Sequence, residues 1–147
     1  MLFAVIHLAV AAVWLGSMAY SLVVVQPKVT RFFNDDSEAE DFLATLASGN
    51  RWPVVALITV LMLTSVGVIA TSPRPIAVGY LSVLVFHAVA FGIFWYVSWR
   101  HWPARVFALP DELPRMRRQL RLCAWTMLAL VATAFLIATS VSVGAIR

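Results

Sequence analysis

The chain has 147 residues, of which 62% are hydrophobic and 12% are charged, and its formal net charge is +4. Soluble domains carry about 25% charged residues, so this composition excludes an ordinary soluble domain. The basic residues lie between long apolar stretches rather than on one polar face, which argues against a nucleic-acid-binding protein.

Four stretches contain no Asp, Glu, Lys or Arg, namely 2–25, 52–73, 75–99 and 122–146. Each reaches the roughly 20 residues that a helix needs to cross a bilayer, and each is about twice as long as a barrel strand. The sequence therefore predicts an all-α fold, a bundle of four antiparallel transmembrane helices in one domain covering 1–147. The predicted spans are about 2–26, 52–72, 76–99 and 121–145.

The first stretch has no basic segment before it and is longer than the apolar part of a signal peptide, so we expect it to be retained as span one. The loop that follows contains DDSEAEDFLATLASGN. Its apolar residues Ala39, Phe42, Leu43 and Leu46 fall on one helical face, and Gly49 is a typical helix end. This pattern predicts a short amphipathic helix that lies on the inner surface or folds under the bundle. An ordinary acidic connector is the alternative.

Ser72, Pro73, Arg74 and Pro75 form a very short connection, so spans two and three must be antiparallel neighbours. Span three ends in an aromatic cluster that is typical of a membrane interface, made of Trp95, Tyr96, Trp99 and Trp102. The third loop contains Pro103, Pro110 and Pro114, so we expect it to be irregular.

The basic residues are distributed unequally between the two sides of the predicted bundle. Loops one and three, on one side, hold nine Lys and Arg residues, whereas the other side holds only Arg74 and Arg147. Positively charged loops stay in the cytoplasm, so we expect a multi-pass protein of the cytoplasmic (inner) membrane with both termini outside. The run RMRRQLR, residues 115–121, is expected to contact anionic lipid headgroups.

Three histidines lie in or beside the spans. His101 is expected to contact water at the inner interface, whereas His7 and His87 lie inside apolar runs. No span contains a charged residue that could pair with an imidazole, so each buried histidine needs a hydrogen bond or a metal. If both spans start at the same height, His7 lies about 8 Å and His87 about 17 Å from the outer surface, at about 1.5 Å per residue. This mismatch is awkward for one metal between them, although helix tilt and boundary shifts would reduce it.

The residue types around these histidines favour haem over a copper site built from sulfur ligands. No MxxxM or CxxC motif is present, and Cys123 is the only cysteine. Haem needs imidazole ligands and an apolar, aromatic slot, which Trp14, Phe91 and Phe94 would wall. The sequence thus predicts haem b with His7 and His87 as ligands, and copper as the alternative metal. A histidine that bonds a hydroxyl on another span is the simpler explanation of each.

The segment HLAVAAVWLGSMAYSLVVVQP, residues 7–27, resembles the start of CopD-type copper-resistance membrane proteins and of HemJ-type protoporphyrinogen oxidases. The shared pattern is a histidine early in span one, a Trp-x-Gly about seven residues later and a proline at its end. The resemblance to the HemJ type implies a small four-helix haem protein with His7 as a haem ligand. That type has a functional lysine in span three, where this sequence has His87.

Three functions are therefore expected. The first is a membrane protein that binds haem or a metal for electron transfer or porphyrin chemistry. The second is a CopD-like copper-handling protein. The third is a non-catalytic accessory subunit, with other membrane subunits or further copies of this chain as its partners.

Overall fold

The computed structural model describes residues 2–33, 35–109 and 111–144. Within these ranges the chain is helical and contains no strand. Four of the helices are long and apolar enough to cross a membrane, judged by length and composition. In chain order the helices are α1 (Leu2–Phe32), α2 (Asp36–Gly49), α3 (Arg51–Thr71), α4 (Arg74–Arg105) and α5 (Leu113–Gly144).

The long helices extend beyond the charge-free stretches that predicted them. α1 continues six residues past position 26, α4 six residues past 99, and α5 begins eight residues before 121. The expectation of an irregular third loop is therefore wrong for most of its length. Pro114 lies in the first turn of α5, where a missing N–H costs nothing. Pro110 lies outside the described residues, and so does residue 145, the predicted end of span four.

Each of α1 and α4 contains one π-helical segment near its C-terminal end, Ser21–Val25 in α1 and Val97–His101 in α4. The amide that follows each segment donates to the carbonyl five residues earlier. A proline, Pro27 or Pro103, lies two residues after each segment. Proline lacks the N–H and crowds the carbonyl four residues before it, so a widened turn relieves the same local conflict twice.

The predicted helix in the first loop is confirmed as α2, although its apolar face is buried only in part. Ala39 is buried, whereas Phe42 is exposed. Glu40 accepts a hydrogen bond from Arg105 Nη2 at 2.6 Å and pairs with Arg117 as well. One carboxylate therefore joins α2 to the end of α4 and the start of α5.

The four long helices share one core. α1 contacts α3 and α5, and α4 also contacts α3 and α5, so α1 and α4 face each other across the core. All four helices contribute to a cluster of buried residues, which comprises Ala11, Trp14, Ile58, Leu61, Ala90 and Val131. Side chains that point inward from α1 and α4 consequently meet at the centre.

Candidate metal centre

The structure brings His7 and His87 together. Their ring centroids lie 5.4 Å apart with an interplanar angle of 74°, and both side chains are 0% exposed. The two residues therefore occupy the same level of the core, although equal helix starts predict different depths. This is the central arrangement of the candidate site.

Two hydroxyls on α3 fix the orientation of the His7 ring. Its Nδ1 lies 3.1 Å from Thr64 Oγ1 and 3.4 Å from Ser65 Oγ. Each hydroxyl donates its only proton to its own helix, Thr64 to the Val60 carbonyl at 2.7 Å and Ser65 to the Leu61 carbonyl at 2.8 Å. With the two hydroxyl protons placed on these carbonyls, both oxygens accept the Nδ1–H proton of His7. This tautomer leaves a lone pair on Nε2, the atom that a metal binds.

Aromatic rings hold both imidazoles from the sides. The Trp14 ring stacks on His87 with centroids 5.9 Å apart and an interplanar angle of 26°. The Tyr80 ring meets His7 edge to face at 5.3 Å. Its hydroxyl lies 3.0 Å from Ser142 Oγ on α5, which anchors Tyr80 in turn. All four long helices therefore take part in positioning the two histidines.

Three ring nitrogens at this site have no hydrogen-bond partner among the described residues. They are His7 Nε2 and both nitrogens of His87, and all three are buried. A buried polar atom without a partner is costly, and native proteins rarely leave one unless a ligand or ion satisfies it. The unpartnered nitrogens are thus the feature that favours a metal.

Phe91 and Phe94, the remaining predicted site residues, lie after His87 on α4. Phe91 and Phe94 pack against the shared core, and their ring contacts in the described part of the chain are with Trp95 and Trp99. His101 is only 3% exposed, so the expectation that it contacts water is wrong. Because α5 begins early, its first turns cover the π segment that carries His101.

The chemistry of the donor set limits which metal fits. No group of three or more His, Cys, Asp or Glu side chains that could hold a metal ion is found in residues 2–33, 35–109 and 111–144. The pair therefore offers two imidazole ligands, which does not match the four ligands of a structural zinc site. Iron in haem and copper both accept two imidazoles.

The spacing of the rings distinguishes these two metals. A metal–imidazole bond is about 2 Å long, so a single ion fits between two adjacent imidazoles after small ring rotations. Haem held by His7 and His87 would require space for the macrocycle between the two imidazoles. The edge-to-face contact of His7 and His87 has no such gap, so α1 and α4 must separate before haem can enter.

Comparisons with family models, with curated proteins and with solved structures found no match for this chain. The resemblance of residues 7–27 to CopD-type and HemJ-type proteins therefore stays a prediction. The functional interpretation rests on the geometry of the buried histidine pair.

Proposed function

We propose that this protein is a small integral membrane protein that binds a metal centre through His7 and His87. Its four long helices would form an antiparallel bundle across the bilayer, with the metal in the outer half of the core. The observation that carries this proposal is the pair of fully buried, adjacent imidazoles with three unpartnered nitrogens. A buried imidazole nitrogen with a free lone pair needs a partner, and a metal ion supplies one.

Each neighbouring side chain has a defined task in this proposal. Thr64 holds the proton on His7 Nδ1, so that Nε2 is available as a ligand. Trp14 fixes the plane of His87, and Tyr80 covers His7, so both rings are restrained and water is excluded. Haem iron or copper would supply one-electron chemistry at this site.

Copper is the candidate that needs the smaller change in the observed packing. One ion between the imidazoles would require the two rings to rotate out of their 5.4 Å edge-to-face contact, and such a site would agree with a CopD-like copper-handling role. Haem b is the candidate that the HemJ-type resemblance implies, and it requires the gap between α1 and α4 to widen. The two candidates differ in one readout, because only haem gives an intense visible absorption spectrum.

The charge distribution supports an orientation in the cytoplasmic membrane with loops 27–51 and 100–121 inside and both termini outside. Arg117 is paired with Glu40, whereas Arg115, Arg118 and Arg121 are exposed. These three side chains would contact anionic lipid headgroups at the inner surface.

The test is to purify the wild type and the variants His7→Ala and His87→Ala from cells supplied with both haem and copper. Metal content is measured by mass spectrometry, and absorption spectra are recorded in oxidised and reduced forms. His101→Ala is the matched control, because His101 is also buried but lies at the far end of α4. We expect the wild type and the control to carry the metal and both site variants to lose it.

The outcomes separate the candidates. A b-type spectrum that disappears in both site variants supports haem, and copper without such a spectrum supports the copper site. Wild-type protein that contains neither iron nor copper would refute the metal centre. His7 and His87 would then be packing residues.

A further inference from the structure

A cavity lies between the two π-helical segments, at the opposite end of the core from His7 and His87. The cavity has a volume of about 180 Å3, and residues of both segments line it. Phe94, on its wall, follows His87 by seven residues, which corresponds to about 10 Å along the helix. The cavity is therefore separate from the metal centre.

The lining of this cavity is uncharged but not apolar throughout. Its polar residues are Ser21 and Gln26 of α1, Asn50 just before α3, and Ser98 of α4. Phe94 and Trp102 add aromatic rings. The cavity therefore offers hydrogen bonds and flat apolar surfaces but no charge with which to hold an ion.

Ser98 is the most informative of these residues. Its side chain is only 3% exposed, and its hydroxyl makes no hydrogen bond within the described residues. Ser65 and Thr59, which lie in regular α-helix, donate to the carbonyl four residues earlier. Ser98 lies in the π segment Val97–His101, where the backbone hydrogen bonds are shifted by one residue. Ser98 lines the cavity without a bond to its own helix, and it lies in a π segment of the kind that is frequent at functional sites.

We propose that this cavity binds the ring of a quinone or quinol. A volume of about 180 Å3 is below the roughly 300–1,000 Å3 of pockets that enclose drug-sized ligands, so a single ring fits and any tail must extend outside. The ring would lie against Phe94 and Trp102. A membrane-dissolved quinone reaches such a site from the lipid, because the α1 residues that line it are only half-buried.

The positions of the polar groups match this ligand. α1 and α4 face each other across the core, so Ser21 and Gln26 lie on the opposite wall from Ser98. A para-quinone carries its two oxygens at opposite ends of one ring. Each oxygen would accept a hydrogen bond from one wall, which satisfies the free Ser98 hydroxyl.

The test is calorimetric titration of the purified, detergent-solubilised protein with decylubiquinone. Ser98→Val removes the hydroxyl, and Ala124→Leu fills the cavity from α5. Ser82→Val is the matched control, because Ser82 is an exposed serine on the same helix. We expect saturable one-site binding by the wild type and the control, affinity about fivefold to tenfold lower for Ser98→Val, and no binding by Ala124→Leu.

Circular dichroism and gel filtration check that the variants fold, and Ser98→Ala replaces Ser98→Val if the latter does not. Binding that Ala124→Leu retains would place the quinone elsewhere and overturn the proposal. Equal affinity of the folded Ser98 variant and Ser82→Val would do the same. Decylbenzene, which has the same tail but no ring oxygens, must fail to compete, since effective competition would identify the cavity as an acyl-chain site.

Discussion

The hydrogen bond between His7 and Thr64 allows a quantitative test of the proposed ligand geometry. Thr64→Val keeps the shape of the side chain but removes the oxygen that accepts the Nδ1–H proton at 3.1 Å. Hydrogen bonds between membrane helices contribute about 0.6 kcal/mol on average and up to about 1.7 kcal/mol. Because Ser65 Oγ lies 3.4 Å from the same nitrogen and can take over part of the bond, we expect a stability loss near the average.

The effect on the metal should exceed the effect on stability. Without an acceptor at Nδ1 the imidazole loses its preferred tautomer and its fixed orientation, and loss of such an outer partner typically lowers metal affinity about 10- to 100-fold. We expect Thr64→Val near the lower limit, and the double variant Thr64→Val/Ser65→Ala near the upper limit, since no hydroxyl then remains for Nδ1.

The assay is a competition titration with a chelator, followed by metal analysis, together with unfolding in mixed micelles. Thr59→Val is the matched control, because Thr59 lies on the same helix, bonds its own backbone at 2.8 Å and is exposed. If the double variant binds metal as tightly as Thr59→Val, the hydroxyls do not orient His7. The tautomer argument would then be refuted.

Two further predictions concern topology and packing. After replacement of Cys123, a cysteine at Ser72 should react with an impermeant reagent added to intact cells and one at Ala108 should not; reaction at Ala108 from outside would contradict the orientation. A methyl group at Gly79 would lie 2.6 Å from Val141 Cγ2, so Gly79→Ala should lower the free energy of unfolding by about 1–3 kcal/mol, measured in mixed micelles, and Val141→Ala should restore much of it. An equally large loss with Val141→Ala present would show that this contact is not the cause.

The helical class and the number of long apolar helices follow from the sequence because lipid allows few alternatives. A backbone that cannot bond water must satisfy its own polar groups. A charge-free run of about 20 residues therefore forms a helix, whichever apolar residues it contains. The helix ends at Phe32, Arg105 and Leu113 were not predicted. Charged residues limit the part of a helix that can lie in lipid, but they do not end the helix itself.

Residue types also identified His7 and His87 as the residues of interest, but not their contacts. A hydroxyl in a membrane helix usually bonds its own backbone, and Thr64 and Ser65 do make such bonds. Their additional approach to His7 depends on the rotation of α3 against α1. That rotation is set by side-chain packing over the whole interface between the two helices. The pattern of residue types along the sequence does not predict this packing.

The depth of the histidines shows where counting along helices fails. Equal starting heights for α1 and α4 place His7 and His87 about 9 Å apart along the membrane normal, at about 1.5 Å per residue. In the structure a Cβ on Gly67 would meet the Phe3 ring at 2.9 Å, and Gly67 lies four residues before the end of α3 at Thr71. The start of α1 therefore lies about 6 Å below the last residue of α3, measured along the helix axis. This offset accounts for much of the predicted difference in depth between His7 and His87. Gly67 leaves room for the Phe3 ring at this height, and the same offset of α1 brings His7 closer to the level of His87.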